Sequence, residues 1–253
     1  MKHGDFTGLA ENYRKYRPGY SHEIAKIISR ENQNIDDFKA VDVGAGTGIW
    51  TNILKDHGVT VITAIEPNSD MKSQGEIAFP DINWIQAPAE ETTLENNSVN
   101  LVTMASSFHW PDFNLATKEF HRVLKPGGLF VALWNPRLIA VNPLLVEIEN
   151  KLKEIVPELK RVSSGRSSFT QDLTEKLSAT KLFKDVVYLE STHVEKQSKE
   201  RYIGLWESVN DIRVQAGEDR FNKFISWIHE RIADLDFIEA TYSTRAWVAR
   251  RND

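Results

Sequence analysis

The stretch Ala40-Val41-Asp42-Val43-Gly44-Ala45-Gly46-Thr47-Gly48 decides the fold. Phe38 to Val43 is a short apolar run that stops at glycines, the pattern of a buried strand entering a turn. Thr47 to His57 then places Ile49, Trp50, Ile53 and Leu54 on one helical face and stops at Gly58. Glycines at such a turn let the backbone approach a ligand and adopt conformations that a side chain forbids. Val59 to Ile65, rich in β-branched residues, reads as the next strand and ends at Ile65-Glu66-Pro67. Glu66 stands 22 residues beyond Gly44. A carboxylate at that strand end can accept both ribose hydroxyls of an adenosine. Strand, glycines, helix, strand and acid in that order make a ligand-binding turn the better reading than a plain tight turn.

The same alternation continues outward. Asn68 to Phe79 reads as a helix interrupted by Gly75, and Ile82 to Ile85 and Ser98 to Met104 read as strands. Pro111 and Asp112 open a helix, since proline suits a first turn and an acid suits its positive end. Ala116, Phe120, Val123 and Leu124 give that helix a buried stripe, Lys125-Pro126-Gly127-Gly128 ends it, and Leu129 to Trp134 is a further strand. Strands alternating with helices predict a parallel sheet with helices on both faces, its ligands at the carboxyl ends of the strands. From Asn142 the pattern turns helical, with Leu144, Leu145, Ile148, Leu152, Ile155 and Val156 on one face. A serine-rich stretch at 161–168 follows, holding Arg161 and Arg166 as weaker anion-binding candidates. A helix over 171–181, a strand from Val186 to Leu189, helices over 199–213 and 219–235 and a last strand from Phe237 to Arg250 complete the reading.

Composition narrows the chemistry. The chain has 253 residues and no cysteine, which excludes disulfides, thiolate metal sites and every covalent thiol mechanism. A net charge of -5 leans against a nucleic-acid surface, which usually needs a basic patch. No run approaches the roughly 20 apolar residues of a membrane helix. Residues 1–20 hold no apolar stretch between their charges, so a secretory signal is not expected and a cytoplasmic location is the default.

The glycine spacing is G-x-G-x-G, with Ile49 where the dinucleotide fingerprint has its third glycine, which favours a ligand without a pyrophosphate. Further stretches join it: Tyr13-Arg-Lys-Tyr16-Arg17-Pro18-Gly-Tyr20, Ile65-Glu-Pro67 with Met71, Ala87-Pro-Ala89-Glu90, Phe108-His109-Trp110-Pro-Asp112, Glu119 to Gly128, and Tyr242 to Arg251. Together they resemble the class I S-adenosylmethionine-dependent methyltransferases, and more narrowly the trans-aconitate methyltransferase-type (type 11) group. Ser21 and Pro111 depart from that group's pattern, both on the substrate side.

The resemblance implies an α/β fold with a Rossmann-like seven-strand sheet, mostly parallel with one late antiparallel strand, helices on both faces and a helical cap. It implies one domain over 1–253, with N-terminal lid helices in 1–35, a cofactor-binding core over 36–136, and cap or substrate elements in 137–182 and 198–235. The implied cofactor is S-adenosyl-L-methionine, with S-adenosyl-L-homocysteine as product. Glu66 would hold the ribose, beside Pro67, and Met71 would lie on the adenine face. Backbone at Ala89 and Glu90 would meet the adenine edge. Gly44, Ala45, Gly46 and Ser106 would line the methionine arm, Asp42 would reach its ammonium through water, and Arg17 would hold its carboxylate.

His109 and Tyr13 are the candidate catalytic side chains, and Tyr20, Trp110, Trp134 and Arg137 the candidate substrate contacts. No metal is expected. The expected reaction is direct in-line transfer of a methyl group to an oxygen or nitrogen of a small polar acceptor, anionic if Arg137 pairs with it. No nucleic-acid or membrane partner is expected, and no oligomeric state follows. The competing readings are a non-catalytic S-adenosylmethionine-binding module or partner subunit, an NAD-dependent oxidoreductase, and a methyltransferase of macromolecules.

Overall fold

The computed structural model describes residues 10–30, 35–160, 168–208 and 210–253. Two short helices, α1 (Ala10–Tyr16) and α2 (His22–Arg30), precede the alternating unit. That unit runs β1 (Lys39–Val43), α3 (Ile49–Asp56), β2 (Val61–Ile65), α4 (Ser69–Ala78), β3 (Asn83–Ile85), β4 (Val99–Ala105), α5 (Phe113–Val123) and β5 (Leu124–Trp134). After a 3-10 turn at Ile139–Val141 come α6 (Pro143–Ile155), α7 (Ser168–Gln171), α8 (Leu173–Ala179) and β6 (Phe183–Gln197). The chain continues with α9 (Lys199–Glu207), α10 (Asn210–Ala216), α11 (Glu218–Arg231) and β7 (Ile238–Arg251). The strands form one seven-stranded sheet in the order β3-β2-β1-β4-β5-β7-β6. Only β7 runs against its neighbours, pairing antiparallel with both β5 and β6. The expected Rossmann-like class, with its single late antiparallel strand, is therefore the observed one.

Two apolar layers sandwich the sheet. Phe120 and Val123 of α5 pack with Phe130, Ala132 and Trp134 on one face. On the other, Trp50 and Leu54 of α3 pack with Leu129, Val131 and Leu133, as alternation along β5 requires. Ile24, Ala25 and Ile28 of α2 join this second layer. Of the two helices expected as a lid, α2 is thus part of the sheet's packing, because its apolar stripe is buried there. A third cluster, from α6, α9, α10 and α11, closes over the start of β7 at Ile238, Ala240 and Tyr242 and forms the cap.

Other expectations shift in length. β6 has 15 residues rather than the four of Val186 to Leu189. β5 starts at Leu124, because Lys125 to Gly128 bulges within the strand instead of separating it from α5; Leu124 faces Val99 while Leu129 faces Leu101. The helix expected over 199–213 is split into α9 and α10. The serine-rich stretch over 161–167, with Arg161 and Arg166, lies outside the described residues.

Asp42 on β1 is wholly buried, and its two carboxylate oxygens accept the hydroxyls of Thr51 on α3 (2.6 Å) and Thr103 on β4 (2.9 Å). Burial raises its pKa to about 7 against those two bonds, and the charge of Glu66 adds to the rise. The folded state thus keeps a proton that the unfolded chain releases near pH ~4. The Asp42 contribution to stability therefore falls as pH rises between those values. Urea unfolding from about pH 4.5 to 7.5 is expected to show a shallower decline for Asp42→Asn than for the wild type.

A second prediction concerns α4. A side chain at Gly75 would place its Cβ 2.1 Å from the Trp84 ring, which is itself tied to the Phe79 carbonyl by its indole N–H. In an open helix Gly→Ala gains about 0.5–1 kcal/mol. Here the clash reverses the sign, and Gly75→Ala is expected to lower the unfolding free energy by about 1–2 kcal/mol in denaturant titration.

Candidate functional site

Every parallel strand ends at the same edge of the sheet. Val43 is level with Ile65, and Ala105 with Leu133. The order reverses between β1 and β4, so the loops after these two strands flank the crevice where open α/β sheets bind ligands.

The turn after β1 has Gly44 at φ +66° and Gly46 at φ +59°, both left-handed. A Cβ at Gly44 would stand 2.7 Å from the Ser107 hydroxyl, so the loops after β1 and β4 meet with no room for a side chain. Glu66, at the end of β2, accepts the Gly46 N–H on one oxygen (2.8 Å) and the Asn68 N–H on the other (2.9 Å). Burial raises its pKa, and the two backbone N–H groups oppose that rise. Asn68 in turn caps α4, accepting from Asp70 and Met71. Met71 is buried, and its methyl lies 3.4 Å from where a Gly46 Cβ would be. Glu66, Gly46 and Met71 therefore lie together at the end of β1 and β2. Asp42 is wholly buried, and each of its oxygens accepts one hydroxyl from inside the fold.

From the N-terminal side, residues 17–20 cross this edge. The Tyr20 hydroxyl donates to Ser106 Oγ (3.0 Å), and its ring meets the edge of Trp50. Burial raises the Tyr20 pKa, with Tyr13 and Asp42 adding to the rise and Ser106 and Arg17 opposing it, so the phenol stays protonated and donates. Ser106 is held at φ +56°, its N–H on the Leu133 carbonyl (2.7 Å). The Arg17 guanidinium lies over the Tyr13 ring at 4.7 Å, and its Nε is buried without a hydrogen-bond partner. Thr47 Oγ1, in the glycine turn, is buried without one as well. Unpaired buried polar atoms beside a left-handed turn and a carboxylate fit a polar ligand such as the amino-acid and ribose parts of S-adenosylmethionine.

At the mouth after β4, His109 Nδ1 accepts the Trp134 indole N–H at 3.4 Å. An indole nitrogen only donates, so the imidazole proton sits on Nε2. Burial lowers the His109 pKa to about 4, which keeps the ring neutral at pH 7. Trp110 is 51% exposed and its ring lies tilted against His109 at 4.5 Å, whereas Trp134 is 1% exposed and belongs to the core. Trp134, expected to wall the substrate pocket, has its ring packed against Trp247 and Phe169 in the core and meets His109 through its indole N–H.

Arg137 lies under the cap, 3.5 Å from the Tyr202 hydroxyl and 4.8 Å over the Trp206 ring. Burial works against its charge, but Tyr202, Tyr242 and Glu149 outweigh it, and the pKa is raised. Ala89 is buried, Pro67 is exposed, and Glu90 accepts the Asp112 N–H (2.8 Å), joining the loop after β3 to the start of α5. Asn135 had not been singled out in the sequence. It sits just after β5, and its amide donates to the Gly19 carbonyl (2.7 Å). Among the described residues, no group of three or more His, Cys, Asp or Glu side chains is placed to hold a metal ion, and no helix is long and apolar enough to cross a membrane.

Residues 41–132 match the family model described as a methyltransferase domain. An uncharacterized methyltransferase of Mycobacterium tuberculosis is 38% identical over 132 residues, covering 52% of this chain and 52% of its own length. A demethylmenaquinone methyltransferase of Staphylococcus aureus is 31% identical over 141 residues, covering 52% of this chain and 58% of its own. The chain thus spans about half the length of the curated relatives it matches. Among solved structures, a candidate type II methyltransferase from Anaeromyxobacter dehalogenans superposes with a TM-score of 0.69 at 18% identity, covering 93% of this chain and 98% of its own. Phosphoethanolamine N-methyltransferase 2 from Haemonchus contortus, in complex with phosphomonomethylethanolamine and S-adenosylhomocysteine, gives 0.54 at 13% identity, covering 98% of this chain and 57% of its own. Residues 41–132, framed by this sheet order and glycine turn, thus match a methyltransferase domain of the type 11 family.

Proposed function

We propose that this chain transfers a methyl group from S-adenosylmethionine to an oxygen or nitrogen of a small polar acceptor, by direct in-line displacement. The observation that carries this reading is the Glu66 carboxylate, bonded to Gly46 across the switch-point turn. Each of its oxygens accepts one backbone N–H and keeps a further lone pair, enough to accept both ribose hydroxyls. The S-adenosylhomocysteine bound in the Haemonchus contortus neighbour supports the same cofactor.

When bound, the cofactor supplies a methyl group on a positively charged sulfur. Arg17, with its unpaired Nε, holds the carboxylate of the methionine arm. Tyr20 and Ser106 line the same arm and, with Trp110, keep water from the reacting centre. His109 presents Nε2–H at the mouth and orients the acceptor by donating to one of its oxygens, and any proton on the methylated atom leaves to solvent after transfer. With a pKa of about 4 and Nδ1 on Trp134, it positions the acceptor instead of removing its proton. Arg137, charged beneath the cap, selects an acceptor that carries an anionic group. Proximity and desolvation supply the acceleration.

Isothermal titration with S-adenosylmethionine and S-adenosylhomocysteine tests this reading. Both are expected to bind, and Glu66→Gln to weaken both by at least about tenfold; wild-type protein that binds neither overturns it. With an acceptor in hand, kcat is expected to show no His109 titration between about pH 6 and 8, and His109→Gln, which keeps a donor, to retain kcat within about tenfold. A loss of roughly 10²–10⁴ would instead make His109 a general base.

A further inference from the structure

The segment that carries Arg17 and Tyr20 to the site is held by side chains from the opposite half of the chain. The Arg17 carbonyl accepts from Arg201 on α9 (3.2 Å). The Gly19 N–H donates to Glu195 on β6 (2.8 Å), and the Gly19 carbonyl accepts from Asn135 after β5 (2.7 Å). The Ser21 N–H donates to Thr244 on β7 (2.7 Å), whose hydroxyl donates to Asn135 (2.9 Å). Glu195 and Arg201 are themselves an ion pair at 2.9 Å. Thr244 lies midway along β7, next to Arg245, which pairs with Trp134 at the end of β5, so it stands level with Asn135; Glu195 lies near the end of β6, further out on the same side. Upstream, the Tyr16 ring lies against Gly204 of α9, which fixes the other end of the segment.

The bonds from Arg201, Glu195, Asn135 and Thr244 meet the segment at its backbone atoms and so fix the path of residues 17–21, while Tyr20 and Ser21 add side-chain bonds to Ser106 and Ser191. No bond in the set touches the glycine turn or Glu66. We propose that Arg201, Glu195 and Asn135 form a clasp of positioning residues that sets the Arg17 guanidinium for the carboxylate of the cofactor's amino-acid arm, without contributing to its adenosine end. The proposal rests on the cofactor reading above and goes beyond it: elements of the cap and the late strands, outside residues 41–132, tune recognition of one part of the cofactor. Arg201 precedes Tyr202, which contacts Arg137, so α9 also joins this clasp to the proposed acceptor side.

The test compares two probes, S-adenosylhomocysteine and 5′-methylthioadenosine, which keeps the adenosine and sulfur but lacks the amino-acid arm. Affinities for both are measured by isothermal titration for wild type, Arg17→Ala, Arg201→Ala, Asn135→Ala and Glu195→Gln. Arg17→Ala is expected to lower the ratio of the two affinities most. Arg201→Ala and Asn135→Ala are expected to lower it at least about tenfold by weakening S-adenosylhomocysteine alone. Glu195→Gln, which still accepts from Gly19, is expected to fall between them and the wild type. A general loss of structure would weaken both probes together and leave the ratio unchanged, and an unchanged ratio in Arg201→Ala and Asn135→Ala overturns the clasp. Wild-type protein that binds neither probe overturns the cofactor reading and the clasp with it, so the two failures are distinct.

Discussion

The Glu66 carboxylate takes one N–H from the loop after β1 and another from the loop after β2, and this shared acceptor sets the spacing of the two loops. A buried carboxylate is costly unless hydrogen bonds meet it, so the turn has reason to close on Glu66 before any ligand is present. Gly46 can supply its N–H because a left-handed backbone aims it there. Asn68 can supply its own because it is also the cap of α4. The position of Met71 and the start of α4 follow from that pair of bonds, while Ser107 is held beside Gly44 by its own bond to the Val43 carbonyl (3.2 Å).

How much of this was legible in the sequence depends on how local each signal is. The alternating unit up to Trp134 was readable because each buried strand and each helical stripe is written in consecutive residues. Asp112 was readable as a helix opener and is the N-cap of α5. β6 was underestimated because it is an edge strand whose second half, Glu190 to Gln197, mixes charged and polar residues into a partly exposed face. The β5 bulge was missed because Pro126-Gly127-Gly128 reads as a turn when its neighbour β4 is not in view.

The site residues divide the same way. That Glu66 and the glycine turn lie close together was readable because strand, glycine and helix order marks them. Asn135, Thr244, Glu195 and Arg201 were not, since each acts on a backbone atom more than a hundred residues away. The tautomer of His109 was equally hidden, since it is decided by Trp134, 25 residues downstream. The partners of Asp42 were hidden for a related reason. A carboxylate ending a strand before glycines can point to the ligand or to the fold, and two threonines from other elements decide it.

The tryptophans fall into separate environments. Trp50, Trp134, Trp206 and Trp247 are buried, Trp84 and Trp227 are half-buried, and Trp110 is the exposed one. A soluble quencher such as iodide or acrylamide therefore reaches Trp110 far more readily than the four enclosed indoles. Because that ring lies against His109 at the mouth of the proposed site, the protein carries its own fluorescent gauge of whether the entrance is covered.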